Sequence, residues 1–108
     1  MARSRRRPII WSPEARADLF EIWNYYARVA GSETANKIAR EIDHACRLLG
    51  QHPFAGRARD EVRPEFRSIA ARPHVVFYRI RNESAEIVRV LDGRRDLDSL
   101  FTAESTED

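Results

Sequence analysis

Two amphipathic helical segments separated by a single glycine are the feature that most constrains how this chain folds. Apolar residues recur at helical spacing over residues 15–30 and again over residues 35–49. Gly31 ends the first segment, and Ser32 is the expected N-cap of the second. Because a connection this short forces consecutive helices to run antiparallel, the sequence predicts a helical hairpin whose two apolar stripes share one core.

The boundaries of the hairpin carry their own signals. Before it, "PIIW" is typical of a short strand, since it is β-branched and aromatic. Ser12, Pro13 and Glu14 then combine a cap, a preset backbone angle and an acid at the positive end of a helix. After the second helix, Gly50 and Pro53 prevent it from continuing.

The second half of the chain predicts strands. Residues 52–66 have no period and read as a loop, with Phe54 and Val62 expected to pin it to the core. Three strand-like stretches follow, "FRSIAA", "HVVFYRI" and "AEIVRVL", and the turn "RNES" makes the last two a hairpin. The apolar run over residues 75–78 suits a central strand covered on both faces. The order strand, two helices, three strands predicts an α+β fold with one four-stranded sheet.

The stretch "VLDGRRDLDSLF" ends the predicted fold. Its Asp-Gly pair turns the chain out of the last strand, and three large apolar residues follow at spacing i, i+3, i+4: Leu97, Leu100 and Phe101. We expect a short C-terminal helical turn that packs this apolar face on the sheet. Arg94 and Arg95 would then lie at the surface.

Composition restricts the classes of protein that remain. At 108 residues, with 43% hydrophobic and 33% charged residues, the chain suits one globular domain rather than a disordered or membrane-spanning segment. The net charge is only +2, and every basic residue except Lys37 is arginine, which fits either a GC-rich genome or a surface for carboxylates and phosphates. Cys46 has no partner for a disulfide and "PIIW" is too short for a signal peptide, so a reducing cytoplasm is expected.

Catalytic and cofactor motifs are sparse. The three histidines are not paired with Cys or Glu at metal-ligand spacing, and no glycine-rich phosphate loop, "GxSxG" or "HExxH" occurs. We therefore expect no cofactor and no metal. A metal-independent nuclease stays possible if basic, His and Tyr side chains converge, the alternative being a solvated strand face. The residues concerned are Arg67, Arg72, His74, Tyr78, Arg79, Arg94 and Arg95.

Four segments in register resemble the ParE toxins of the RelE/ParE superfamily, found in bacterial type II toxin-antitoxin modules. They are "WSPEARADLFEIWNYYA", "PFAGRARDEVRPEFRSI", "HVVFYRI" and "EIVRVLDGRRDLDSLF". The resemblance spans residues 9–101 and implies two antiparallel helices on a small, mostly antiparallel sheet. We accordingly expect a single toxin domain over residues 8–101, a basic tail over 1–7 and an acidic tail over 102–108.

The resemblance also implies partners. A ParE toxin is neutralised by a cognate ParD-like antitoxin with an acidic C-terminal segment, and its implied target is DNA gyrase, whose poisoning blocks replication. RelE members instead cleave mRNA on the ribosome, with a strand Arg at about the position of Val75 and a C-terminal Tyr at about Phe101. Because neither Val nor Phe can bind a phosphate or move a proton, we expect no enzymatic activity.

Two alternatives stay open at this point: a RelE-like ribosome-dependent endoribonuclease using Arg67, His74, Arg79 and Arg95, and a toxin whose target has drifted or been lost. DNA is expected to be contacted only through the antitoxin, and no membrane is involved. The residues expected to bind the antitoxin or the target are Trp23, Tyr26, Arg57, Arg59, Arg67, His74, Tyr78, Arg79, Arg94 and Arg95. Trp23 could equally be a plain core residue.

Overall fold

A computed structural model describes residues 7–94, which form two helices and one five-stranded sheet. The elements in chain order are β1 (Ile10–Trp11), α1 (Pro13–Ala30), α2 (Ser32–Leu48), β2 (Arg57–Ala58), β3 (Arg67–Ala71), β4 (His74–Arg81) and β5 (Ser84–Asp92). The predicted C-terminal helical turn, with Arg95, Leu97, Leu100 and Phe101, lies outside the described residues. The domain limits at 8, 101 and 102 stay a prediction.

The sheet has the order β1-β5-β4-β3-β2. β1 runs parallel to β5 and every other neighbouring pair is antiparallel, so the predicted α+β class and the mostly antiparallel sheet are confirmed. The predicted strand number was wrong, because β2 is a fifth strand. Two residues are too few to show a period of two, and β2 exists only because Arg57 and Ala58 pair with β3.

The start of α1 follows its sequence signals. The Ser12 hydroxyl accepts a hydrogen bond from the Ala15 backbone N–H at 3.0 Å, as an N-cap does. It also donates to the Val88 carbonyl at 3.0 Å, which ties the helix start to β5. The same prediction for Ser32 was wrong: Gly31, at φ 96°, is the N-cap of α2 and no side chain caps it. With one residue between the helices, Gly31 takes that position and Ser32 is already helical.

Apolar layers lie on both faces of the sheet. On the helical side, α1 and α2 cover Val76, Tyr78 and Ile87, which are fully buried together with Cys46. On the other side, which we call the far face, Phe77 packs with a smaller cluster that includes Phe66, Leu91 and the partly buried Val62. The prediction that Val62 pins the loop is confirmed. Phe54 was predicted to do the same and does not, since it is 68% exposed.

The β4–β5 hairpin positions the site residues at its open end. Its turn has Asn82 and Glu83 at positive φ, which is typical of the two-residue turns that join the strands of β-hairpins. The register shifts between Phe77 and Tyr78, which leaves Val88 as an extra residue in β5. This bulge accompanies a change of face, because Val88 packs on the far face and the following Arg89 reaches α1.

Arg89 and Asp18 join β5 to α1. Arg89 Nε lies 2.7 Å and Nη2 3.0 Å from the two carboxylate oxygens of Asp18, a bidentate pair. The Val90 backbone N–H donates to the same carboxylate at 2.9 Å. Because Asp18 is nearly buried, these three bonds compensate the cost of removing its charge from water. They fix α1 across the end of the sheet where the candidate site lies.

Neither helix of the described part, residues 7–94, combines the length and apolar character needed to cross a membrane.

Candidate partner-binding surfaces

A groove runs along the helical hairpin, with a volume of about 500 Å³. We call it the helical groove; its walls are Trp11, Arg16, Leu19, Phe20, Trp23, Ala39 and Asp43. Phe20 is 67% exposed, and the half-buried Trp23 donates from its indole nitrogen to Asn36 Oδ1 at 2.8 Å. The bond between α1 and α2 fixes the Trp23 ring. The groove thus offers preformed aromatic surface with one positive and one negative side chain beside it.

A second concavity lies between α1 and the open end of the β4–β5 hairpin, with a volume of about 320 Å³. We call it the aromatic cleft, because Tyr25, Tyr26 and His74 all line it. The two tyrosine rings meet edge to face at 5.1 Å between centroids, and the rings of Tyr26 and His74 meet at 6.1 Å. Asp92 and Arg94 complete the wall on the strand side. This arrangement can hold a planar or apolar group beside charges.

The charges of the cleft largely satisfy one another. Arg94 donates to Asp92 from its backbone N–H at 2.9 Å, from Nε at 2.9 Å and from Nη2 at 2.6 Å. These hydrogen bonds hold the pKa of Asp92 well below its ordinary value, and in return the pKa of Arg94 is raised. The ion pair therefore stays formed at every physiological pH.

His74 is the least usual group in the cleft. It is 4% exposed, and its Nδ1 atom has no hydrogen-bond partner among residues 7–94. Burial lowers the pKa of His74, with the positive charge of Arg94 adding to the effect and the negative charge of Asp92 opposing it. His74 is consequently neutral at pH 7 and contributes an aromatic ring rather than a positive charge.

The segment 53–56 is held by two side chains of the sheet. Tyr78 donates from its hydroxyl to the Pro53 carbonyl at 2.7 Å and accepts from the Gly56 N–H at 2.9 Å. Arg67 Nη2 donates to the carbonyls of Gly56, at 2.7 Å, and Phe54, at 3.2 Å. Gly56 is required here, because a Cβ atom would lie 2.6 Å from both the Ser68 carbonyl and the Tyr78 hydroxyl. Tyr78 itself is fully buried.

The arginines of the far face are mostly paired. Arg79 Nε lies 2.8 Å from Glu86 Oε1, and Arg59 Nε lies 3.0 Å from Glu61 Oε2. The Arg59 guanidinium also lies over the Phe77 ring at 5.5 Å. Arg57 differs: it is exposed and forms no ion pair within the described part of the chain. It is the arginine of this group most available to a partner.

The structure divides the predicted site residues among several places. Tyr26, His74 and Arg94 meet in the aromatic cleft, and Trp23 lies in the helical groove. Arg67 and Tyr78 hold segment 53–56, and Arg79 lies further along the far face. Arg57 is the first residue of β2, and Arg59 directly follows that strand. Arg95 lies outside the described residues.

The nuclease set considered from the sequence converges only in part among the described residues. Arg72, His74 and Arg94 line one cavity at the open end of the β4–β5 hairpin, whereas Arg67, Tyr78 and Arg79 lie elsewhere. His74 and Arg79 are five positions apart on β4, so they point to opposite faces of the sheet. Arg67, in β3, lies opposite Tyr78, which is four residues along β4 from His74. The Arg67 guanidinium donates hydrogen bonds to backbone carbonyls. No group of three or more His, Cys, Asp or Glu side chains suited to a metal ion occurs within residues 7–94.

The sequence patterns do not predict three exposed aromatic residues. Phe20 and Tyr25 lie on α1 outside the apolar stripe of that helix, and Phe54, expected in the core, is exposed. The spacing i, i+3 between Phe20 and Trp23 was the available signal, since it marks a second apolar face on the same helix. Nothing local distinguishes an exposed Phe54 from a buried one.

Comparison with known proteins gives the family. The model for the ParE toxin of the type II toxin-antitoxin system, parDE, matches residues 9–97. The chain belongs to the ParE toxin family. The hairpin-on-sheet fold described above is the one that the resemblance to this family implies.

Two curated relatives and one solved structure agree with the family. Toxin ParE1 of Mycobacterium tuberculosis is 41% identical over 88 residues, which cover 81% of this chain and 90% of that toxin. Toxin ParE1 of Caulobacter vibrioides is 38% identical over 85 residues, covering 79% and 88%. A chain from the chromosomal ParDE system of P. aeruginosa superposes with a TM-score of 0.71 at 25% identity, covering 80% of this chain and 95% of that one. The likeness spans nearly the whole described fold.

Proposed function

We propose that this ParE-family toxin poisons DNA gyrase by binding it, in the cytoplasm, and that a ParD-like antitoxin neutralises it by occupying the helical groove. Membership of the ParE toxin family supports a role in a type II toxin-antitoxin module. It thereby also supports the proposal of a ParD-like antitoxin and of gyrase as the target. The observation that carries the mode of neutralisation is the helical groove, which exposes aromatic surface in a preformed concave shape.

The groove fits an amphipathic segment better than a folded domain. A helix laid into a groove buries apolar anchors at spacing i, i+3, i+4, and Phe20 and Trp23 offer the complementary contacts. Arg16, at the edge of the groove, suits a carboxylate of an acidic segment and would set its register. Because Trp23 is already fixed by its bond to Asn36, little side-chain entropy is lost on binding.

Binding rather than cutting is the mode that the geometry favours for the target. A ribonuclease of this fold needs an acid, a base and a cation at one phosphodiester. Here Arg72 and Arg94 lie near the buried His74, but Arg94 is paired with Asp92. Arg79 is paired on the opposite face, and Arg67 is engaged with backbone carbonyls. We therefore propose that the chain has no enzymatic activity of its own. A RelE-like endoribonuclease is the alternative outcome of the target experiment.

Alanine substitution tests the antitoxin surface. Phe20→Ala and Trp23→Ala are each expected to weaken antitoxin binding by about 2 kcal/mol, roughly 30-fold in Kd, as truncated aromatic anchors do. Leu48→Ala is the matched control, because Leu48 is a half-exposed apolar residue of the same hairpin that does not line the groove. Calorimetric titration with the purified antitoxin measures all three. Unchanged affinity for both aromatic variants would exclude the groove.

Purified toxin tests the target. We expect inhibition of gyrase supercoiling and accumulation of cleaved DNA, both relieved by antitoxin, together with intact transcripts after induction in cells. If gyrase stays unaffected at concentrations that arrest growth, the proposed target is wrong. Ribosome-dependent cleavage of mRNA would establish the enzymatic alternative instead.

A further inference from the structure

Phe54 is the most exposed large apolar side chain of the described residues, at 68%. It stands on the short segment after α2, outside both the helical groove and the aromatic cleft. The Arg67 guanidinium lies over one side of its ring, 5.2 Å from the centroid. The aromatic ring thus projects from the surface with one side supported by a cation.

Its backbone is fixed by the hydrogen bonds that hold segment 53–56. Tyr78 and Arg67, both from the sheet, bind the backbone at Pro53, Phe54 and Gly56. Burying a polar side chain costs free energy unless the side chain forms hydrogen bonds, so most buried polar side chains have hydrogen-bond partners. Here the buried Tyr78 and the partly buried Arg67 hold a surface loop, so four hydrogen bonds fix the backbone around Phe54.

We propose that Phe54 is the anchor by which this toxin engages its target, a folded protein that presents an apolar pocket with carboxylates at its rim. The inference rests on the proposed function in requiring a protein target. A large, rigid aromatic side chain that enters a pocket is the usual form of an interface hot spot, because it buries much area at little entropic cost.

The shape of the surface selects the partner. A projecting ring needs a concave receptor, which a folded protein supplies and an amphipathic antitoxin segment does not. The antitoxin segment instead needs a concavity, and the helical groove provides one. The target and the antitoxin would therefore use different surfaces of the toxin.

The charges around Phe54 give the chemistry of the rim. Arg57 lies three residues further on, is exposed and forms no ion pair with the described residues. Arg67 keeps its positive charge beside the ring itself. A carboxylate at the rim of the receiving pocket would pair with Arg67, and a second carboxylate, displaced toward the far face, would pair with Arg57; both would speed association.

Two phenylalanines of equal exposure make the experiment a matched one. Phe54→Ala and Phe20→Ala remove the same side chain from surfaces exposed by 68% and 67%. Each variant is assayed for growth arrest on induction, for gyrase inhibition and for antitoxin affinity, with the unfolding midpoint as a check on folding. Phe54→Trp is the conservative variant.

We expect Phe54→Ala to lose at least about 10-fold in gyrase inhibition and in toxicity while antitoxin affinity changes less than about 2-fold. Phe20→Ala is expected to show the reverse, and Phe54→Trp to retain toxicity. Arg57→Glu should weaken target binding more at low than at high salt, because its contribution is electrostatic.

The outcomes separate this inference from the proposed function. Toxicity of Phe54→Ala equal to that of the unmodified toxin would overturn the anchor, and so would a loss of antitoxin affinity as large as that of Phe20→Ala. If the unmodified toxin arrests growth but leaves gyrase untouched, gyrase is the wrong target, while the growth assay still decides about Phe54. A chain that is not toxic at all refutes both.

Discussion

Cys46 shows how burial decides the chemistry of a single residue. Its side chain is 1% exposed in the layer between the helices and the sheet. Burial, with a smaller effect of the nearby negative charge of Asp43, raises the pKa of the Cys46 thiol to about 12. Since the thiolate is the reactive form, the only cysteine of the chain is inert in the folded protein.

We expect Cys46 in the native toxin to resist a thiol reagent such as Ellman's reagent at pH 8 and to react fully in denaturant. The labelling rate at rising denaturant should follow global unfolding, because Cys46 becomes exposed only when the helices separate from the sheet. Fast labelling under native conditions, before any loss of helical signal, would contradict this assignment.

The helices show that two similar serines can have different roles. Ser12 caps α1 and also bonds the Val88 carbonyl of β5, whereas Ser32, one residue beyond the Gly31 cap, forms no cap bond. The sequence predicts an N-cap at both serines, because each precedes a segment with apolar residues at helical spacing. The difference arises from the length of the connection, which leaves Gly31 as the residue at the helix boundary.

This difference is measurable by mutation. Loss of the cap in Ser12→Ala is expected to lower the free energy of unfolding by about 1 kcal/mol. Because the bond to the Val88 carbonyl of β5 is lost as well, the total is expected to reach up to about 2 kcal/mol. Ser32→Ala is the matched control and should change it by less than about 0.5 kcal/mol. Urea denaturation followed by circular dichroism gives both values. Equal costs for the two serines would mean that the cap geometry is not what stabilises α1.

The two faces of the sheet are covered by different elements. Within residues 7–94, two helices cover one face and a loop with Phe66 and Val62 covers the other. Helix α1 is tied to β5 through Asp18 and Arg89, which closes the helical layer against the open end of the hairpin. His74 is buried where these parts meet, so protonating it places a charge in a desolvated site.

Stability should therefore depend on pH through His74. Because its pKa is lowered on folding from the ordinary value of 6.5, the unfolded chain binds more protons just below that value. The free energy of unfolding should fall as the pH drops below about 6.5 and stay level above it. The pKa of Asp92 is also lowered, so Asp92 makes stability depend on pH in a separate range, below its ordinary pKa of 3.8.

Unfolding measured between about pH 5 and pH 8 tests this dependence. His74→Asn should flatten the curve, whereas His44→Asn, which removes an exposed histidine of α2, should not. A curve for His74→Asn as steep as that of the unmodified toxin would assign the dependence to another group.

Local signals in the sequence determined α1, the end of both helices, the β4–β5 hairpin and the two-layer class. Each depends on residues within a few positions of one another: Ser12 with Pro13, the period of the apolar stripe, or the turn at Asn82 and Glu83. The family motifs added the mostly antiparallel arrangement of the sheet, because they extend over the whole fold rather than one element.

Tertiary structure alone decided β2, the exposure of Phe54 and the meeting of Tyr26, His74 and Arg94 in one cleft. β2 forms because β3 is its neighbour, and the cleft forms because α1 crosses the end of a hairpin more than forty residues further along the chain. Strand register and helix docking fix such distances, and neither leaves a pattern in the residues nearby. The sequence thus determined which surfaces could exist, and packing decided which side chains share them.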